Sequence, residues 1–218
     1  MSISSNLIQL NQSIPGNVTL VAVSKTHPVE AISEAYQCGQ RVFGENRVQE
    51  LDEKHSQLPA DISWHLIGHL QKNKVKYIAP YVSMIHSVDD LELLKVIQKE
   101  AQKNDRIIDC LIQIHIADEE SKFGFSHSEA DDFFGSINDA DYPNVCIRGL
   151  MGMATFTENH AQVEAEFEGL KTFFDNIQSR RNSDSFNVCS MGMSGDYQLA
   201  IEAGSNMIRV GSAIFGSR

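Results

Sequence analysis

The chain has 218 residues, of which 42% are hydrophobic and 8% aromatic, so it is long enough to bury a sizeable core. Its 18 lysines and arginines against 29 aspartates and glutamates give a formal net charge of −11. This balance argues against non-specific binding of nucleic acid or of an anionic membrane. We expect one domain over residues 1–218, in which any anionic ligand is bound by a local arrangement of donors.

The N-terminal region shows no charged segment followed by an apolar stretch and a small-residue cleavage site, and apolar runs elsewhere are only a few residues long. We therefore expect a soluble, cytoplasmic protein. The cysteines are scattered without CxxC pairs, which favours reduced, mostly buried thiols over a disulfide framework or a zinc site. They are Cys38, Cys110, Cys146 and Cys189.

Short β-rich runs recur along the chain, with segments of helical period between them. The predicted strands cover residues 18–24, 41–45, 63–68, 82–88, 109–116, 146–154, 186–193 and 206–210. Strands that alternate with helices imply parallel βαβ units, and eight of them predict an α/β fold of the (β/α)8 TIM barrel type. A doubly wound sheet is the alternative, but the turn after the first strand reads SKTHPVE and lacks its usual GxGxxG.

Some helix ends can also be predicted. Thr26 is a candidate cap for the first helix after a strand, and Ser87 with Asp90 forms a capping-box pattern before a helix over 91–102. The clearest helix follows Thr157, where apolar residues fall on one face at steps of three and four. These residues are Val163, Phe167, Leu170, Phe174 and Ile177.

The active face of such a barrel is the carboxyl end of its strands, so polar residues that follow a strand are the candidates for function. Lys25 directly follows the first strand, where apolar surroundings would lower its pKa and favour the neutral amine that a Schiff base requires. The alternative is a solvated loop lysine, which is how we interpret the other lysines considered. These are Lys54, Lys72, Lys95, Lys99, Lys103 and Lys171.

Asn46 follows the second strand, and His65 lies within the third. His65 and His69 have the spacing of an HxxxH metal pair, but the glutamate of HExxH is absent and the segment reads as a strand that runs into a loop. We expect no metal site. His65 is predicted to be a packed or hydrogen-bonded core histidine, and a role facing a ligand stays open.

The last two strands are each followed by serine and glycine. SMGMSGD places Ser190 and Ser194 after the seventh strand, and IRVGSAIFG places Gly211 and Ser212 after the eighth, at the start of a short helix. These two loops are the recurrent phosphate site of TIM barrels, because backbone N–H groups at a helix start attract an anion. The alternative is that these glycines only allow the chain to turn and bind no phosphate.

Arg209 lies inside the last predicted strand, two residues before Gly211. A buried arginine needs partners, so a core ion pair is one interpretation. The other is a permanently charged donor that faces a ring nitrogen of a ligand whose phosphate is held by the next turn. Lys25, Arg209 and the 211–212 turn would then contact an aldehyde, a ring nitrogen and a phosphate, which are the groups of pyridoxal 5′-phosphate (PLP).

Several segments together resemble the YggS/PROSC family of pyridoxal phosphate homeostasis proteins. They read VAVSKTHPVEAI, AYQCGQRVFGENRVQEL, WHLIGHLQKNKVK, IRGLMGMATF and SMGMSGDYQLAIEAGSNMIRVGSAIFG. The resemblance implies a barrel like the N-terminal domain of alanine racemase, of the kind called PLP fold type III. It also implies a protein that holds PLP as a lysine aldimine, without established catalytic turnover, and takes part in cellular vitamin B6 balance.

Carried over residue by residue, the resemblance implies that Lys25 is the aldimine lysine, that Asn46 lies beside the ring and that Arg209 faces the pyridine nitrogen. The phosphate would be held by Ser194, Gly211 and Ser212, with Ser190 the less secure serine. Lys122, in the acidic segment IADEESKFGF, is a candidate second amine for carrying or transferring PLP.

Two functions compete. The first is a non-catalytic PLP binder that buffers the cofactor or delivers it to PLP-dependent apoenzymes, as a monomer or as a dimer. The second is an amino-acid racemase, which needs a second acid or base on the opposite face of its substrate. Alanine racemases take that group from an additional C-terminal domain, and this chain ends at Arg218. A cationic Arg209 would also keep the ring nitrogen unprotonated, although alanine racemases place an arginine there too. We therefore favour the binder.

Overall fold

The strands pair in chain order around a closed ring. The computed structural model describes residues 2–118, 123–181 and 183–216. Within these ranges, eight parallel strands form a barrel in which each strand pairs with the next and the last pairs with the first. Residues 19–22 of the first strand lie in register with residues 207–210 of the eighth. The predicted (β/α)8 barrel is confirmed.

The strands are β1 (Thr19–Val23), β2 (Val42–Glu45), β3 (Ser63–Leu66), β4 (Met84–Val88), β5 (Ile108–Ile114), β6 (Val145–Gly152), β7 (Val188–Ser190) and β8 (Met207–Val210). The helices are α1 (Ile3–Ser13), α2 (Val29–Gln37), α3 (Val48–His55), α4 (Val75–Ile78), α5 (Leu91–Lys103), α6 (His127–Ser136), α7 (His160–Arg181), α8 (Tyr197–Glu202) and α9 (Ser212–Phe215). Two 3-10 turns cover Lys72–Lys74 and Asp139–Asp141.

The seventh strand is much shorter than the predicted 186–193. It ends at Ser190, because Gly192 has a φ of +97°, in the left-handed region, which cannot continue a strand. A Cβ at Gly192 would also lie 2.6 Å from the Cβ of Ala200 on α8. Ser190 is therefore the last residue of β7 and does not belong to the loop after it.

Two predicted helix caps are wrong, and one helix face is confirmed. Thr26 has a φ of +66° and belongs to the turn before α2, whose N-cap is Pro28. Asp90 alone caps α5, while the hydroxyl of Ser87 donates to the carbonyl oxygen of Gly68 at 2.6 Å. In α7 the apolar face is buried as predicted. Its buried residues are Val163, Phe167, Leu170, Phe174 and Ile177.

Helix α1 precedes the first strand and is absent from the predicted elements. Ser2 caps it by accepting a hydrogen bond from the backbone N–H of Ser5. The side-chain amide of Asn6 donates to the carbonyl oxygen of Ile214 at 2.9 Å, which ties α1 to α9. Among the residues that the structure describes, no helix is long and apolar enough to cross a membrane.

The barrel interior changes from apolar to polar towards the carboxyl ends of the strands. Side chains on a strand alternate between its two faces, so residues two apart point into the same space. One interior cluster consists of Val21, Met84, Leu111, Met151, Val188 and Met207. Two residues further along β4, β5, β7 and β8 the buried positions are His86, Gln113, Ser190 and Arg209. This polar layer lies directly under the loops at the carboxyl ends.

Candidate functional site

A cavity of about 680 Å³ opens at the carboxyl ends of the strands. It takes residues from the loops after most of the strands, as expected for the active face of a TIM barrel. All six predicted site residues line it, namely Lys25, Asn46, Ser194, Arg209, Gly211 and Ser212. The structure therefore brings them together at one place, and the ligand that they hold stays a prediction.

Lys25 is half-buried in a tight turn that follows β1. The backbone N–H of Ser24 donates to the carbonyl oxygen of Gly44 at 3.1 Å, which keeps the chain paired with β2 up to the residue before Lys25. The N–H of His27 then donates back to the carbonyl oxygen of Ser24 at 3.1 Å. The turn thus sets the direction in which Lys25 leaves the strand.

The guanidinium group of Arg209 lies at the floor of the cavity, and the residue is only 4% exposed. Its Nη1 donates to the carbonyl oxygen of Ser190 at 3.0 Å and to the Ser190 hydroxyl at 2.6 Å. Its Nη2 donates to the carbonyl oxygen of Gly152 at 2.8 Å. Burial lowers the pKa of Arg209 to about 10, while Asp196 acts to raise it. Neutral acceptors hold the cation, and among the described residues Arg209 forms no core ion pair of the kind that the sequence left open.

The loops after β7 and β8 meet at Ser194 and Gly211. The backbone N–H of Gly211 donates to the hydroxyl oxygen of Ser194 at 3.1 Å, so the two loops are joined at this point. Helix α9 begins at the next residue, Ser212, and its first N–H groups have no acceptor within the helix. A Cβ at Gly211 would lie 3.0 Å from the carbonyl oxygen of Val23. This site suits an anion that approaches the backbone closely.

The sequence makes Ser190 a candidate for a further phosphate-binding serine, and the structure gives it a different partner. The residue is fully buried, and its hydroxyl and carbonyl groups both accept hydrogen bonds from Arg209. It therefore fixes the guanidinium group, and it is absent from the lining of the cavity over the described residues. Lys122, the candidate second amine, lies outside the described residues.

Two histidines that are close in sequence lie in different environments. Nδ1 of His65 lies 2.9 Å from Nε2 of His86 in the barrel interior, which confirms the predicted hydrogen-bonded core histidine. His69 instead lines the cavity. Its Nδ1 lies 3.0 Å from Oδ2 of Asp89, and its ring stacks on Phe123 with centroids 4.0 Å apart. The HxxxH spacing therefore does not form a pair of ligands.

The His69–Asp89 pair is a feature that sequence reasoning missed. The Asp89 side chain is only 10% exposed, and burial raises its pKa although His69 acts to lower it. A carboxylate that orients an imidazole at a cavity is an arrangement suited to proton transfer. The signal in the sequence was positional, because His69 follows the third strand and Asp89 follows the fourth.

Lys54 is buried, which corrects its interpretation as a solvated lysine. The residue is 5% exposed on α3, and its Nζ lies 2.8 Å from Oε1 of Glu45 on β2. Its spacing from Glu50 is that of an exposed helical ion pair, and that pair does form, at 2.7 Å. The difference arises because this face of α3 packs against β2.

Comparison with known proteins first identifies the class of this barrel. A family model described as "Alanine racemase, N-terminal domain" matches residues 1–218. The alanine racemase of Bartonella henselae, solved with covalently bound pyridoxal phosphate, matches with a TM-score of 0.71 at 17% identity. This chain covers 60% of that one, and 99% of this chain is matched. At this identity the likeness shows a shared fold.

Much closer relatives define the family. The pyridoxal phosphate homeostasis protein of Aquifex aeolicus is 41% identical over 200 residues, which cover 91% of this chain and 86% of that protein. The pyridoxal phosphate homeostasis protein of Pasteurella multocida is 37% identical, and the match covers 100% of this chain and 98% of that protein. The structure of PipY from Synechococcus elongatus, with PLP bound, matches with a TM-score of 0.90 at 36% identity, over 99% of this chain and 100% of PipY. The chain belongs to the YggS/PROSC family of pyridoxal phosphate homeostasis proteins.

Proposed function

We propose that this protein binds PLP at the carboxyl end of its barrel and acts in PLP homeostasis. The observation that carries the proposal is the meeting, at one cavity, of a lysine, a buried arginine and the joined loops at Ser194 and Gly211. These match the three distinctive groups of PLP, which are its aldehyde, its ring nitrogen and its phosphate. Membership of the family supports the same cofactor.

The residues present fit this cofactor. PLP supplies an aldehyde that forms a reversible covalent bond with an amine, and Lys25 is the amine that we assign to it. Ser194 and Ser212 would hold the phosphate with a hydroxyl group and the free N–H groups at the start of α9, and Gly211 would let the phosphate approach the backbone, which needs no basic surface. This suits a chain whose formal net charge is −11. Asn46 would lie beside the ring.

Arg209 would face the ring nitrogen as a donor, because its guanidinium group is held in place by Ser190 and Gly152. These bonds use three of its five N–H donors. A fixed cation there opposes protonation of the ring nitrogen and so weakens the ring as an electron sink. This electrostatic arrangement favours storage and delivery of PLP over chemistry on a bound amino acid.

The experiment that tests this proposal is reduction with borohydride followed by peptide mass analysis. Protein incubated with PLP should be yellow, lose its visible band on reduction and carry a phosphopyridoxyl group on Lys25. Lys25→Ala should abolish the main adduct and leave the far-UV circular dichroism unchanged. Lys171→Ala, at a partly exposed ion pair on α7, is the matched control and should keep the adduct. An adduct found on Lys122 alone would overturn the assignment.

A racemase is the second candidate, and the His69–Asp89 pair is the observation that favours it. His69 lines the same cavity as Lys25, so this chain carries a second group that could exchange a proton. Deuterium exchange at Cα across a panel of L- and D-amino acids separates the two functions. Exchange that depends on both Lys25 and His69 would overturn the non-catalytic proposal, and its absence in PLP-loaded protein would support it.

We also propose that PLP-dependent apoenzymes receive the cofactor, that residues 1–218 act as one domain and that the protein works as a cytoplasmic monomer. The cysteines support a reducing compartment, because all four are unpaired, with Cys38 exposed and Cys110 buried. Light scattering after size-exclusion chromatography tests the monomer against the dimer. Transfer is tested by following the activity of an added apoenzyme whose PLP comes only from this protein.

A further inference from the structure

A buried cluster of charged side chains lies behind the turn that carries Lys25. Lys54 of α3 is 5% exposed and Glu45 of β2 is fully buried. Nζ of Lys54 lies 2.8 Å from Oε1 of Glu45, 2.7 Å from Oε1 of Glu50 and 2.8 Å from the carbonyl oxygen of Ser24. An ammonium group has three N–H donors, so each has an acceptor in the cluster.

The same cluster holds both chain neighbours of Lys25. On one side, the Ser24 hydroxyl donates to Oε1 of Glu45 at 2.6 Å, and its carbonyl oxygen accepts from the ammonium group. On the other side, the backbone N–H of Thr26 donates to Oε1 of Glu50. The backbone is thus fixed immediately before and immediately after Lys25.

Thr26 needs such a restraint. Its φ of +66° lies in the left-handed region, which is unfavourable for a β-branched residue. A threonine keeps this conformation only when its surroundings impose it. The carboxylate of Glu50 supplies that contact, and Lys54 holds the carboxylate.

Stability alone gives a poor reason for this cluster. Replacing a buried ion pair by apolar side chains of similar volume is often neutral or stabilising. Here the cost is increased, because Oε2 of Glu45 is buried with no hydrogen-bond partner among the described residues. Burial raises the pKa of Glu45, although the hydrogen bonds from Lys54 and Ser24 oppose this shift. A cluster that is costly and that contacts both neighbours of one cavity residue points to a geometric role.

We propose that Lys54 is a positioning residue for Lys25. Through Ser24 on one side and Glu50 with Thr26 on the other, it sets the backbone geometry from which the Lys25 amine reaches into the cavity. The inference rests on the proposed function, in which Lys25 bonds to the aldehyde of PLP. It predicts that loss of the cluster slows formation of that bond without weakening the rest of the cavity.

Three variants separate this role from a contribution to folding. Lys54→Met removes the ammonium group and keeps an unbranched apolar side chain. It leaves the carboxylates of Glu45 and Glu50 without their cationic partner. The double variant Glu45→Met/Lys54→Met replaces the buried pair by apolar groups, so we expect it to recover most of the lost stability. Lys171→Met is the matched control, because Lys171 forms a partly exposed ion pair with Asp175 on α7, away from the cavity.

Three measurements are made on each variant. Urea unfolding gives stability. The dissociation constant for pyridoxine 5′-phosphate, which has the ring and the phosphate but no aldehyde, reports on the cavity without the covalent bond. The rate of formation of the borohydride-trapped adduct on Lys25, from PLP, reports on the amine. In the double variant we expect an unchanged dissociation constant and an adduct rate lower by about tenfold or more.

An adduct rate equal to that of the wild type in the double variant would overturn the proposal. So would a loss of pyridoxine 5′-phosphate binding in parallel with the adduct rate, since that result indicates a purely structural role. If the wild type forms no adduct at Lys25, the proposed function fails. The positioning role is then judged in cofactor-free protein, where the rate of acetic anhydride labelling of Lys25 relative to Lys171 should still differ between wild type and double variant. Equal ratios would overturn it.

Discussion

The imidazole rings of His65 and His86 are joined by a hydrogen bond of 2.9 Å, from Nδ1 of one to Nε2 of the other, inside the barrel. One ring nitrogen must donate and the other accept, so at least the accepting ring is neutral. Burial lowers the pKa of His65 to about 3. It also lowers the pKa of His86 well below its ordinary value, and His65 and Arg209 add to this shift.

This pair makes stability depend on pH. In the unfolded chain each histidine takes up a proton near its ordinary pKa of 6.5, whereas in the folded protein His65 does so only near 3. The stabilising contribution is therefore complete above pH 6.5 and is lost as the pH falls towards 3. His65 contributes about 1.4 kcal/mol per pH unit within that window, and His86 acts in the same direction because its pKa is also lowered.

We expect His86→Gln to make this dependence shallower below about pH 6.5, by at most one proton or about 1.4 kcal/mol per pH unit, because the pKa of His86 is lowered well below its ordinary value. Glutamine keeps a hydrogen-bonding group near His65 but does not titrate. Urea unfolding at several pH values measures the slope. Buried carboxyl groups with raised pKa values, such as Asp89, act in the opposite direction, so the difference between variant and wild type is the quantity to compare. Parallel slopes would contradict the prediction.

The second prediction concerns the hydrogen bond of 2.6 Å between the Ser190 hydroxyl and Nη1 of Arg209. Ser190→Ala removes this acceptor and leaves the carbonyl contacts in place. A lost hydrogen bond to a buried charge costs about 1.5–3 kcal/mol, and we expect weaker PLP retention because the guanidinium group is less well held. Urea unfolding and dialysis of PLP-loaded protein measure the two effects. Ser56→Ala, at an exposed site, is the control, and equal retention in both variants would argue against this role for Ser190.

The third prediction tests the close approach of the last loop to β1. A Cβ at Gly211 would meet the carbonyl oxygen of Val23 at 3.0 Å and its Cβ at 3.3 Å, so Gly211→Ala forces the loop outwards by a few tenths of an ångström. We expect several-fold weaker retention of PLP with the fold intact, and a larger loss for Gly211→Val. Fluorescence titration with pyridoxine 5′-phosphate measures the change. Unchanged affinity in both variants would place the phosphate elsewhere.

The fourth prediction is a gain in stability. Gly169 lies in the interior of α7, where a Cβ would meet nothing within 4 Å. Gly169→Ala should raise the free energy of unfolding by about 0.5–1 kcal/mol, because it lowers the backbone entropy of the unfolded chain. Thermal unfolding checks this, and PLP retention should stay the same. The variant is thus also a matched control for Gly211→Ala.

Local patterns in the sequence were enough to predict the barrel and to make the residues at its strand ends candidates, and the family resemblance then selected the six that line the cavity. Alternation of strand and helix gives the architecture, because parallel strands require long crossovers. Position at a strand end then places Lys25, Asn46 and Ser194 on the active face. The apolar face of α7 could be predicted for the same reason, since a period of 3.6 residues is a property of one helix alone.

Only the tertiary structure decided which side chains are partners across the barrel. The His65–His86 bond, the contact of Ser190 with Arg209 and the burial of Lys54 against Glu45 each join residues of different elements. Such contacts depend on strand register and on how each helix packs, which no single segment encodes. The sequence by itself therefore determined where the candidate site lies. Closure of the barrel determined how its arginine and its lysine turn are held, because a buried charged group is costly unless it is hydrogen-bonded.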